Sequence, residues 1–178
     1  SAGDAVLTAT PEGILTTTSI IANQHATVNL VAPLLTLHTA DGSAATFTAD
    51  HALFINGVLA AASEATVGAV LTSATRTPAV ITRITRTEGA VVNAVTAAGT
   101  ILASDGGGTP ILAASHPLWI APLVLSSPMA RGGVNFALAL LGDVDTSGFV
   151  AIVAKTAAVV TALTLLAKRF SVSNRRSS

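Results

Sequence analysis

The chain has 178 residues, of which 10% are charged and 3% aromatic, with nine basic residues against nine acidic ones and no cysteine. Such a length suits one domain with a sizeable core plus an appendage, and charge this sparse, against about a quarter in average proteins, leaves the core to Ala, Val, Leu and Ile. Basic residues gather only at the C-terminus, so no stripe exists to neutralise phosphates and nucleic acid is excluded as a partner; the missing thiols exclude disulfides, thiolate metal sites and cysteine nucleophiles within these residues, so any chemistry falls to His, Asp, Ser or Thr.

Ser1-Ala2-Gly3-Asp4 has neither an initiator Met nor a signal-peptide pattern, and the numbering is expected to start inside a longer polypeptide. Up to about residue 115, runs of Val, Ile, Leu and Thr alternate with turn signals at Pro11-Glu12-Gly13, Asp41-Gly42, Asn56-Gly57, Glu88-Gly89 and Asp105-Gly106. This pattern predicts an all-β unit. Asn56-Gly57, between Ala52-Leu53-Phe54-Ile55 and Val58-Leu59, is the strongest hairpin signal, because a type I′ turn needs positive φ at both central residues.

From His116 the character changes. A Pro-punctuated apolar patch, His116-Pro117-Leu118-Trp119-Ile120-Ala121-Pro122-Leu123, is followed by the breaker Ser126-Ser127-Pro128, which places a domain edge near residue 125. Residues 126–148 then read as a linker with a short apolar segment, and 149–167 as an apolar helix whose only charge is Lys155. Its length of roughly 28 Å, at about 1.5 Å per residue, is close to a bilayer core. The basic tail 168–178 places that tail in the cytosol and residues 1–125 on the opposite side of the membrane, or in the secretory pathway.

Several runs carry a family resemblance. Gly3-Asp4-Ala5-Val6 is similar to the "GD-x-V" strand of Hint (hedgehog/intein) domains, and Ser19-Ile20-Ile21 to the strand that follows it. Leu35-Thr36-Leu37-His38-Thr39 stands before an Asp-Gly turn as in hedgehog autoprocessing domains, and Thr48-Ala49-Asp50-His51 matches the T-x-x-H motif, with Ala52-Leu53-Phe54 continuing it. Val67-Gly68-Ala69-Val70-Leu71 resembles a second copy of the opening strand, with Ala69 in place of Asp, and Thr96-Ala97-Ala98-Gly99-Thr100-Ile101 resembles the later "G-T-I" segment. The resemblance covers residues 1–125 and implies a mainly β, antiparallel Hint fold with a pseudo-twofold repeat, followed by the apolar C-terminal helix.

It also implies a chemistry. In the family a peptide bond before a cysteine becomes a thioester by an acyl shift, and a second nucleophile then attacks. The departing amide nitrogen needs a proton, which by resemblance His51 handles; Thr48 holds the scissile backbone, and His25 stands where hedgehog domains carry the aspartate that serves the second nucleophile. The cysteine would lie upstream of Ser1, and the family's later "A-S-C" stretch is matched to residues 104–110, which hold no cysteine. The fit of Ser1 to the Gly-Asp strand argues against Ser1 as the nucleophile.

The implied substrate is the protein's own upstream polypeptide, and the acceptor is water, sterol or another small nucleophile; no cofactor is expected. The alternative is a degenerate, non-catalytic Hint-fold module on a membrane-anchored protein. Intein-type splicing is not expected, because the terminal His-Asn it requires does not occur. His38 and His116 are read as structural, Gly106-Gly107-Gly108 as a plain loop rather than a phosphate cradle, and Asp143-Val144-Asp145-Thr146-Ser147-Gly148 as a polar turn, since an EF-hand would need Glu where Ala154 stands.

Overall fold

The computed structural model describes residues 1–10, 13–24 and 31–141. Eleven strands come first among them: β1 (Ala5–Ala9), β2 (Leu15–Gln24), β3 (Val31–Thr39), β4 (Ala44–Thr48), β5 (Ala52–Ile55), β6 (Val58–Ala61), β7 (Val70–Thr72), β8 (Pro78–Ala90), β9 (Asn93–Thr96), β10 (Thr100–Ala103) and β11 (Ile111–Ala114). Two helices follow, α1 (Ala121–Ser126) and α2 (Pro128–Leu141). The strands form a small sheet in the order β1-β2-β9 and a curled one in the order β10-β11-β5-β7-β8-β3-β4, with β6 added along β5; every pairing is antiparallel. The fold is therefore mainly β, as the sequence predicts.

The turns show why. Asn56 and Gly57 have φ of 51° and 78° and close the β5–β6 hairpin with Ile55 opposite Val58. Asp41 nucleates the β3–β4 turn by accepting from the Thr39 hydroxyl at 2.6 Å and the Ser43 N–H at 3.1 Å, the local bonding that makes Asp a turn former. Glu88-Gly89 departs from expectation. Both lie inside the thirteen-residue strand β8, opposite Pro33 and Ala32 of β3. Gly89 serves packing there, since a Cβ would come within 3.0 Å of the Leu34 side chain.

The expected repeat is present down to individual bonds. Gly3 and Gly68 adopt φ of 93° and 91°, and each donates its N–H to the carbonyl of an isoleucine, Ile20 or Ile81, at 2.8 Å. Those isoleucines donate back to Asp4 and Ala69, again at 2.8 Å. At the next turn of each half, Gly42 bonds Thr39 and Gly99 bonds Thr96, both at 3.1 Å. The halves exchange partners: β2 pairs with β9 of the second half, while β8 pairs with β3 of the first. This swap welds the repeats around one core, in which Leu37, Leu53, Leu71, Ile81 and Ile111 are at most 1% exposed. The aliphatic, aromatic-poor core anticipated from composition has Phe47 as its one aromatic residue in that cluster.

Within 126–148, read from the sequence as a linker with a short apolar segment, α2 spans Pro128–Leu141, and Ser1–Asp143 form one compact unit. Ser127-Pro128 starts a helix there rather than breaking the chain. The Ser127 hydroxyl accepts from the Ala130 N–H at 3.2 Å, and proline suits the first helical position because its lost N–H would be unsatisfied anyway. The second unit, Val144–Ser178, with the expected helix at 149–167 and the polar turn at 143–148, lies outside the described residues. Among the described residues no helix is long and apolar enough to cross a membrane.

Candidate functional site

The T-x-x-H segment is the turn between β4 and β5. Its backbone is tied at three points: the His51 N–H donates to the Thr48 carbonyl at 3.1 Å, the Ser63 N–H to Ala49 at 2.8 Å, and the Ala62 N–H to the His51 carbonyl at 2.8 Å. Thr48 ends β4 opposite Leu34. The His51 ring packs on Phe47, with centroids 5.1 Å apart, and hydrogen-bonds the backbone of Ala114 at the end of β11. Part of the residue reaches the surface, but Nε2 itself is fully buried and has no hydrogen-bond partner. Burial holds the imidazole below its usual pKa, against smaller opposing effects from Asp50 and the Ala114 bond. With its pKa lowered, the ring is mostly uncharged at neutral pH and can take up a proton and pass it on.

A second buried imidazole hangs from the same strand end. His116 is 2% exposed, and its Nδ1 lies 3.3 Å from the hydroxyl of the fully buried Ser115. Ser115 bonds Thr96 twice, accepting the Thr96 N–H at 3.1 Å and sharing a proton with its hydroxyl at 3.0 Å. Thr96 donates its own hydroxyl proton to the Thr100 carbonyl at 2.8 Å, and the Thr100 hydroxyl meets that of Thr8 at 2.7 Å. Desolvation pushes the His116 pKa down to about 4; the neighbouring Arg131 lowers it further, while Asn135 beside the ring opposes the shift. Neither Nε2 of His116 nor Oδ1 of Asn135 completes a hydrogen bond. Asn135 and Arg131, one helical turn apart on α2, reach the carbonyls of Ala97 and Ala98 at 2.9 and 3.2 Å.

The structure places His51 and Thr48, which the sequence nominates, on one turn, and gathers Ser115, His116 and Asn135, which it does not, into a second buried cluster just beyond Ala114. Asn135 and Arg131 are the two side chains of α2 able to bond those carbonyls, and their four-residue spacing in an otherwise apolar segment is the signal that could have found them. His25 lies outside the described residues. His38 sits on β3 between Thr85 and Arg83, at 3.2 and 3.3 Å, as a strand residue tied to its neighbours. Residues 104–110 form the β10–β11 loop, pinned where Asp105 accepts from Thr46 at 2.6 Å and the Thr109 N–H donates to Ser43 at 2.7 Å. A cavity of about 690 Å³ reaches the far end of the hydroxyl relay at Thr8 and Thr100, but neither His51 nor His116 lines it. Among the described residues no group of three or more potential ligands could hold a metal.

The chain resembles solved structures of intein and intein-like domains. Over 64% of its length and 83% of theirs it superposes on an intein-like domain from Clostridium thermocellum, with a TM-score of 0.51 and 20% identity. The fold is the intein-like, or Hint, fold. The MchDnaB-1 intein matches similarly, over 64% of this chain and 85% of its own, with a TM-score of 0.50 and 21% identity. No protein-family model and no curated protein matches the chain. At this identity the likeness concerns the Hint fold alone, and the chemistry has to be argued from His51 and its surroundings.

Proposed function

We propose that this chain is the self-processing part of a longer protein: it converts a peptide bond upstream of Ser1 into an ester or thioester and delivers that acyl group to a second nucleophile, as hedgehog-type domains do. The observation that carries the reading is Nε2 of His51, a buried nitrogen without a hydrogen-bond partner, on an imidazole whose pKa burial lowers and on a turn whose backbone is fixed at three points. Leaving such an atom unpaired costs about 1–3 kcal/mol, an expense expected at functional sites. In the proposed reaction the neutral imidazole takes the proton of the attacking nucleophile and hands it to the amide nitrogen as that leaves. Thr48 positions the scissile backbone, and His25 serves the second step.

The same reading makes 149–167 a membrane anchor, and retention of the full-length protein in the membrane pellet after alkaline carbonate extraction is the outcome it expects.

The test uses the full-length protein, incubated at neutral pH with and without hydroxylamine or dithiothreitol and followed by gel and mass spectrometry. Self-processing yields a fragment ending just before the nucleophile, formed faster with the added reagent. A protein that stays intact under both conditions is a non-catalytic β module.

A further inference from the structure

The two halves of the repeat close their first hairpins with the same bond and different residues. In the β1–β2 turn the Gly13 N–H donates to the Thr10 carbonyl at 2.9 Å, and in the β7–β8 turn the Arg76 N–H donates to the Ser73 carbonyl at 3.1 Å. Both donors take a left-handed backbone, Gly13 at a φ of 81° and Arg76 at 60°. Glycine adopts that conformation freely, whereas the Cβ of an arginine strains it. The first half shows that the turn needs no side chain at this position, and the second half keeps one despite the strain. Strain of this kind persists where the residue has a use.

The Arg76 side chain reaches the other hairpin, where a Cβ on Gly13 would come within 2.6 Å of its Cγ and 2.8 Å of its Cδ. There it lines the cavity of about 690 Å³ that both hairpins border, whose apolar wall includes Phe54, Leu71, Leu112 and Leu125. That volume lies in the range of small-molecule sites, about 300–1,000 Å³. The other charged side chain on the wall is Arg131, which already donates to the Ala98 carbonyl at 3.2 Å, and among the described residues no Asp or Glu lines the cavity. The exposed Arg76 guanidinium enters no ion pair or hydrogen bond among the described residues.

This lining selects its ligand. A cation would meet two guanidiniums and no carboxylate. A dianionic phosphate would bring more charge to a largely apolar wall than one free guanidinium offsets. A single carboxylate fits the planar guanidinium fork with both oxygens, and an apolar chain behind it fits the leucines and phenylalanine.

We propose that this cavity binds a single-chain carboxylate, with its acid head on Arg76 and its apolar chain along Phe54, Leu71, Leu112 and Leu125. The site is separate from the self-processing centre, because neither His51 nor His116 lines it, and the inference stands whether or not the chain cleaves itself.

The test titrates the purified full-length protein with sodium decanoate, followed by calorimetry and by amide NMR. Decanoate should bind saturably at one site and shift the amides of Thr8, Thr10, Ser73 and Leu112 rather than that of His51. Octanoate, shorter by two methylenes at about fourfold each, should bind roughly fifteenfold more weakly, and decyltrimethylammonium should not compete. Arg76→Gly installs the residue that the other half uses, so it should melt close to wild type while decanoate affinity falls at least about tenfold; Arg76→Lys should keep part of it. No binding up to about 1 mM, equal binding of the ammonium, shifts confined to other parts of the molecule, or undiminished affinity in Arg76→Gly would each overturn the proposal. If Arg76→Gly fails to fold, Arg76→Met, which keeps the stem without the charge, carries the same comparison.

Discussion

The two buried imidazoles of this molecule share a chemical state and differ in how they reach it. His51 lies on a tight turn, and the main chain of Ala114 is its polar partner. His116 is set by a relay of side chains, Ser115, Thr96 and Thr100, and is faced by Asn135 from a helix that follows the β domain in sequence. A main-chain acceptor constrains no residue type at the partner position, so His51 needs only its own turn. A side-chain relay demands a hydroxyl at each step. The difference teaches that the first site is robust to substitution around it and the second is not.

The largest effect that sharpens this contrast is on rate. His51→Ala in the full-length protein should slow hydroxylamine-released cleavage by about 10²–10⁴-fold, the usual contribution of a general acid–base, and Thr48→Ala should slow it less. Substitution of Ala114 by Gly should leave the rate nearly unchanged, because the carbonyl remains; a large loss would break the contrast.

Next comes pH. The folded pKa of His116 is depressed to about 4, so the unfolded chain binds the proton first as pH falls. The contribution to stability is complete above about pH 6.5 and is lost progressively toward pH 4, amounting to about 3 kcal/mol for a shift of this size. His51, shifted in the same direction, adds to the same window. Urea unfolding at pH 7 and pH 4.5 should show the drop, and His116→Leu should remove most of it. A smaller effect belongs to the relay: Ser115→Ala should cost about 1–3 kcal/mol in a thermal or urea melt, by stranding the Thr96 N–H and Nδ1 of His116 in the interior. A neutral result would mean that the relay does not hold the ring.

Much of the β domain was legible because its signals are local. Asn56-Gly57 and Asp41-Gly42 fix their turns through their own backbone preferences, and the Gly3 and Gly68 strands announce the repeat that the paired bonds to Ile20 and Ile81 complete. Glu88-Gly89 misled because a glycine needed for packing against Leu34 looks in sequence like a glycine needed for a turn. Ser126-Ser127-Pro128 misled because the residues that end one segment also cap and start the next. Of the candidate site, the sequence nominated Thr48 and His51 at three-residue spacing. His116 was assigned a structural role, and its partners Thr96, Ser115 and Asn135 come from two strands' ends and a helix, meeting only after the sheet has curled.

The claim that organises this account is that burial keeps both imidazoles uncharged at pH 7. Long-range ¹H–¹⁵N NMR of the histidine rings reads it directly, one ring at a time, with His51→Ala and His116→Leu giving the assignment. The account predicts that at pH 7 both rings carry a single proton, that His116 stays so down to near pH 4 and that His51 titrates below the usual histidine range. Either ring doubly protonated at pH 7 would contradict it.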